Sequence, residues 1–134
     1  KVLMYCLDTN IAIDHLRGDL DVSKKLQQLQ SIGVELAITS ITLCELYKGA
    51  YLSEREEENL TAIDVFLGAV LILFQNKPSC LIFGRDYAVL HRKGTQTQEK
   101  DLMIASICKA NNCALITRNV KDFRNIPDLI INGW

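Results

Sequence analysis

The chain is 134 residues long, 49% of them apolar, and its 15 Lys and Arg nearly balance its 16 Asp and Glu for a net charge of −1. A chain of that length is expected to form one domain, 1–134, able to bury roughly two thirds of its unfolded surface. The composition excludes a disordered or low-complexity chain, and the longest apolar run, Phe66 to Phe74, is too short to cross a bilayer. The near-neutral charge carries no global nucleic-acid signature, although the distribution of charge matters more than its sum.

Residues 2–7 are a continuous apolar run, the pattern of a strand covered on both faces. No secretory leader is expected, because Lys1 runs straight into that strand. A helix follows from about Thr9 to Arg17 and is broken by Gly18; another begins near Asp21. Val34 to Thr39 is the second predicted strand, and Ser40 or Thr42 can cap the helix that carries Glu45. Ser53-Glu54-Arg55-Glu56 has the form of a capping box for a helix reaching about Leu67. Val70 to Phe74 is a third strand, and Pro78 suits the first turn of a long helix that runs to about Lys93 and is ended by Gly94. After a polar loop, Thr95 to Gln98, the segment Asp101 to Ala110 is an amphipathic helix stopped by Asn111-Asn112. Cys113 to Thr117 and Leu129 to Ile131 complete the strands. Strands alternating with helices predict a three-layer α/β/α fold around a central, mostly parallel sheet of four to five strands.

The five cysteines are odd in number and scattered, with no CxxC pair, and neither His15 nor His91 stands at zinc-ligand spacing from one of them. They are read as buried reduced thiols, which implies a cytoplasmic protein. Basic residues such as Lys48, Lys100, Arg118 and Lys121 flank acidic positions, an arrangement that surface residues also produce.

Four acidic segments recur at places where strands end or helices begin. Asp8 follows the first strand, at the carboxyl edge where open α/β sheets bind ligands, and can equally serve as a helix N-cap. Glu45 lies in a helix that is apolar nearly all round; the alternative is a capping box with Thr42. Asp101 stands at a helix start, where the dipole favours an acid, but Glu99 offers the same service. Asn119 and Asp122 follow the fourth strand and also suit a turn. Together they predict convergence on one cleft. Clustered carboxylates repel, so either their pKa values rise or a cation joins them. With no thiolate or imidazole among them, the cation is a hard one, Mg²⁺ or Mn²⁺, able to serve phosphodiester hydrolysis.

The segments Leu7-Asp8-Thr9-Asn10, Ser40 to Gly49 around Glu45, Asp101-Leu102-Met103-Ile104-Ala105 and Thr117 to Phe123 resemble, in order and spacing, the signatures of PIN-domain ribonucleases, above all the VapC-type toxins of toxin–antitoxin pairs. The resemblance covers the whole chain. It implies a PIN-like fold and a Mg²⁺- or Mn²⁺-dependent endoribonuclease that cuts tRNA or ribosomal RNA and arrests translation. It also implies a cognate antitoxin, a homodimer and no membrane association. Asp8, Glu45 and Asp101 match the family's acidic core and its metal ligands. The fourth position is open between Asn119, where many relatives carry Asp, and Asp122. Thr9 and Thr117 match hydroxyl positions that orient an acid, with Asn10 beside them in support. The loop Gln96 to Glu99 departs from the small, Gly- or Pro-containing stretch common before the third acid.

Other readings compete. A phosphatase of the haloacid-dehalogenase class also places Asp after its first strand, but needs a second Asp where Asn10 stands. Neither GxxxxGK[ST] nor GxGxxG occurs, against a P-loop or dinucleotide fold. A non-catalytic RNA- or protein-binding module is the remaining alternative, and three intact core acids argue against it.

Overall fold

Five apolar runs become strands: β1 (Met4–Leu7), β2 (Glu35–Thr39), β3 (Leu71–Leu73), β4 (Ala114–Thr117) and β5 (Ile131–Gly133). In the computed structural model, which describes residues 4–134, they form one sheet in the order β3-β2-β1-β4-β5. Every neighbouring pair is parallel, and Cys6 of β1 lies level with Ala37 of β2 and Leu115 of β4. The chain builds outward from β1 in one direction, then returns to its other side with β4. The gap between the carboxyl ends of β1 and β4 is therefore the topological switch point, where such sheets open a crevice.

Among the described residues, seven helices cover the sheet: α1 (Thr9–Leu16), α2 (Leu20–Ser31), α3 (Ser40–Leu52), α4 (Glu56–Leu67), α5 (Lys77–Arg92), α6 (Glu99–Ala110) and α7 (Val120–Phe123). Alternation along each strand sends successive side chains to opposite faces, and this splits the core in two. Leu7, Leu36, Ile38 and Ile116 pack with Ile11, Val22, Leu46, Ile63 and Phe66 from α1 to α4. Cys6 and Leu115 point the other way, onto Leu90 of α5, Leu102, Ile104 and Cys108 of α6, and Phe123 of α7. The three layers expected from the alternating elements are present. Among the described residues, no helix is long and apolar enough to cross a membrane.

Several local expectations need correction. Residues 2 and 3 of the first predicted strand lie outside the described residues. The cap of α3 is Thr39, whose hydroxyl accepts the Thr42 N–H at 3.1 Å, so Ser40 and Thr42 are inside the helix and the Thr42–Glu45 capping box does not form. Ser53 closes α3, its hydroxyl donating to the Ala50 carbonyl, while α4 starts at Glu56 with Arg55 at the cap and no side-chain bond. The last strand is two residues late, because Asp128 takes a left-handed turn (φ 58°) after Pro127 and pairing with β4 begins at Ile131. Cys6, Cys108 and Cys113 are buried as expected, but Cys44 and Cys80 are exposed; all five thiols are free. At α5 the Asn76–Ser79 capping box was not foreseen, whereas Pro78 sits in the first turn as expected.

Candidate functional site

Asp8 stands at the end of β1 as the N-cap of α1. Its main chain is locked from both sides: its N–H donates to the Ile116 carbonyl of β4 at 2.9 Å, and its carbonyl accepts from Ile11 and Ala12. Both carboxylate oxygens are engaged. Oδ1 accepts the Thr9 N–H at 2.8 Å and Oδ2 accepts the Thr117 hydroxyl at 2.7 Å. Thr117 Oγ1 in turn accepts the Asn119 N–H at 3.0 Å, tying the first acid to the start of α7. Asp8 is only 5% exposed. Burial raises its pKa above the ordinary 3.8, opposed by the Thr117 and Thr9 hydrogen bonds, with the Glu45 charge adding to the rise.

Glu45, on α3, faces Asp8's neighbour. Thr9 donates its hydroxyl proton to Glu45 Oε1 at 2.6 Å, and Thr9 Oγ1 lies 2.9 Å from Thr42 Oγ1. Since Thr9's proton goes to the carboxylate, Thr42 supplies the proton between the two hydroxyls. The acid that a capping box would have turned toward its own helix is instead held across the cleft. Its second oxygen, Oε2, pairs with Lys100 Nζ at 2.9 Å, and that hydrogen bond raises the Lys100 pKa.

Asp101 lies in the first turn of α6, two residues after Glu99. Its pKa is pushed up to about 6, first by desolvation and then by the charge of Asp8, with Asp122 and Glu45 adding to the rise and Lys100 opposing it. Asn119 occupies the cap position of α7 without a side-chain capping bond, and Asp122 lies one turn on.

These side chains line a single cleft of about 400 Å³ at the switch point: Asp8, Thr9, Asn10, Glu45, Asp101, Asn119 and Asp122, with Lys48, Gln98 and Lys100 on its rim. Thr117 sits fully buried beneath, behind Asp8. Every candidate site residue read from the sequence thus lines this cleft or, in the case of Thr117, lies directly under it. The convergence is not a closed ligand cage. Among the described residues no three His, Cys, Asp or Glu side chains gather tightly enough to ring one ion. Three contacts hold the acids apart: Lys100 pairs with Glu45, and the Thr9 and Thr117 bonds hold Asp8.

Two participants escaped the sequence. Thr42 was read as a cap, although its position three residues before Glu45 puts both on one helical face. Lys100 was one of several basic residues flanking acids, and nothing local marks it as the partner of an acid 55 positions earlier (100 − 45). Conversely, Arg118 turns away from the cleft to Asp14 at 2.7 Å and Asp19 at 3.5 Å.

Residues 5–129 match the PIN domain family. The chain is 33% identical to Ribonuclease VapC2 of Rickettsia felis over 98% of both chains. It is 30% identical to the tRNA(fMet)-specific endonuclease VapC of Salmonella typhimurium over 99% of both. Its fold superposes with a TM-score of 0.90 on a chain, 33% identical and covering 98% of each, in the crystal structure of VapBC2 from Rickettsia felis bound to a DNA fragment from their promoter. The chain belongs to the PIN domain family, among the VapC ribonucleases.

Proposed function

We propose that this chain is an endoribonuclease toxin, one PIN nuclease domain that hydrolyses RNA phosphodiester bonds at the acidic cleft and is held in check by a cognate antitoxin. The observation that carries the reading is the meeting of Asp8, Glu45, Asp101 and Asp122 around one cleft at the sheet's switch point, in a chain whose full-length relatives are named ribonucleases. The class of substrate is a structured RNA, with tRNA favoured by the endonuclease relative. A cytoplasmic location accords with five free thiols.

The donor set fits a hard divalent cation. All candidate ligands are oxygens, and the negative charge that Glu45 brings to Asp8, and that Asp8, Asp122 and Glu45 bring to Asp101, is relieved by positive charge among them. Mg²⁺ commonly takes one or two carboxylates and completes its shell with water, which suits acids that line a cleft without closing on a point. Asp8 and Asp101 would hold the ion, with Glu45 joining once it leaves Lys100. Bound there, Mg²⁺ or Mn²⁺ supplies positive charge to the phosphodiester and makes water a better nucleophile at neutral pH. The chain's own residues do the rest. Thr117 fixes the Asp8 carboxylate and Thr9 fixes Glu45. Lys100 and Lys48 offer positive charge to the substrate's phosphates. Asp122 supplies the fourth negative charge, because its field reaches Asp101 whereas neutral Asn119 contributes none.

A phosphatase of the haloacid-dehalogenase class is disfavoured by Asn10 in place of the second carboxylate and by the family match. The deciding assay incubates purified protein with end-labelled tRNA. Cleavage with Mg²⁺ or Mn²⁺ that stops with chelator is expected; intact RNA under all conditions would leave a binding module. In the same assay Asp122→Ala slows cleavage more than Asn119→Ala, and the reverse order would move the fourth position to Asn119.

A polypeptide partner has a place to sit. Ile13, Leu16, Leu46, Ala50 and Ile63 line an apolar groove of about 180 Å³ between α1, α3 and α4. It shares Glu45 and Gly49 with the acidic cleft, so a segment docked in it can direct a basic side chain at the acids. Homodimerisation is part of the same reading; sedimentation showing only monomer at micromolar concentration would remove it.

A further inference from the structure

A second concavity, of about 520 Å³, opens beside the acidic cleft where the end of α5 meets the start of α6. Its wall is aromatic. Tyr87 and His91, one turn apart on α5, hold their rings within 9° of parallel with centroids 6.1 Å apart, and Phe83, outside the lining, backs Tyr87 at 6.2 Å. Leu90 and Leu102, both essentially buried, form an apolar floor. The rim is polar, with the amides of Gln96 and Gln98 and the carboxylate of Glu99. Tyr87 remains 44% exposed although it is a large aromatic residue beside an apolar floor.

We infer that this pocket holds an unpaired nucleobase of the RNA strand being cut, a subsite that rests on the nuclease reading above. Three features point to a base. Flat π-faces stack on aromatic side chains whatever their identity. Glutamine amides and a carboxylate are the groups that hydrogen-bond base edges, a carboxylate accepting from the exocyclic amine of a base. Glu99 in the wall excludes a phosphate, which a carboxylate repels. The exposed Arg92 and Lys93, at the end of α5 and outside the pocket lining, offer positive charge to the flanking phosphates. Continuity with the reaction centre is direct, since Gln98 lines both the base pocket and the acidic cleft. Gln96 and Thr97 also border the small recess that contains Asp101, Lys121 and Asp122. A strand with its scissile phosphate at the acids therefore passes the aromatic wall with a neighbouring nucleotide.

The test uses single-stranded oligoribonucleotides carrying 2-aminopurine at successive positions, bound to the full chain in chelator so that nothing is cut. Stacking quenches the probe. Quenching at one position is expected, with Tyr87→Ala abolishing it and weakening binding on the order of 10- to 100-fold. Tyr87→Phe keeps both, and circular dichroism verifies that each variant is folded. No quenching at any position, or wild-type affinity in Tyr87→Ala, overturns the pocket. So does a Tyr87→Ala variant that turns a dimer into monomers while binding RNA normally, which would make this face a contact between copies. Cleavage by the wild type without Tyr87-dependent quenching refutes the pocket alone. Tyr87-dependent quenching without any metal-dependent cleavage refutes the nuclease reading and leaves the pocket standing.

Discussion

Two carboxylates of the cleft, Asp8 and Asp101, have their pKa values raised above the ordinary 3.8, chiefly by burial. Asp101 has its pKa pushed up to about 6 from 3.8 by desolvation and by Asp8, so its ionised form is penalised in the folded chain. Between about 3.8 and 6 the folded protein holds a proton that the unfolded chain has released, so rising pH lowers stability across that window. Asp101→Asn removes this dependence. Its melting temperature relative to the wild type should climb from pH 4 to pH 7, and added Mg²⁺ or Mn²⁺ should close the gap at pH 7; a pH-independent difference would contradict the assignment. Cleavage by the same variant should fall by more than about 100-fold, since even a group that merely orients a metal ligand costs about 10- to 100-fold when lost. In the proposed site Thr117, which donates to Asp8 Oδ2, is such an orienting group. Thr117→Val keeps the shape but leaves Asp8 Oδ2 and the Asn119 N–H without their partner. Urea unfolding at pH 7 should show a loss of about 1.5–3 kcal/mol, the usual worth of a hydrogen bond to a charged group. Wild-type stability with wild-type cleavage would show that the bond positions nothing.

Each element delivers one part of the cleft. Asp8 follows directly on β1, α3 presents Glu45, and α6 must be docked so that its first turn reaches both. The docking of α6 on α5 contains an ion pair that the reaction does not use: Lys109 Nζ lies 2.7 Å from Asp86 Oδ2, with both side chains largely buried. A buried pair adds little net stability over apolar residues, but removing one partner strands the other charge. Lys109→Met should therefore cost about 3–5 kcal/mol in urea unfolding, and adding Asp86→Leu should recover most of it; equal stability of the single and double variants would show that Asp86 finds another partner. Helices and strands were legible because their signals are local: the apolar run of β1, Pro78 in α5, and Gly94, whose φ of 69° lets the chain leave that helix. Caps were less legible. Ser53 and Thr42 satisfy the capping pattern in sequence, yet the hydroxyl of one turns back to close α3 and that of the other is spent in the cleft. A capping motif shows what a hydroxyl can accept, and tertiary contacts decide what it does accept.

At the scale of the whole molecule, the sheet order brings distant segments together and sets the apolar groove proposed for the antitoxin against the acids. Replacing Ala62, on the groove's α4 wall, with Arg should prevent inhibition by the cognate antitoxin while leaving RNA cleavage intact. Co-purification and a cleavage assay with both proteins check this, and undiminished inhibition of the variant would place the partner elsewhere. The sequence alone determined the alternation of strands and helices, hence the three layers. It also determined which carboxylates stand at strand ends and helix starts, because periodicity and chain punctuation are properties of neighbouring residues. Only the tertiary structure decided that Thr9 and Thr42 serve Glu45, that Lys100 neutralises it, and that Tyr87 and His91 open beside the acids. Those pairings join residues far apart in the chain, and their energies depend on burial and distance, which come into being only when β1 and β4 meet at the switch point.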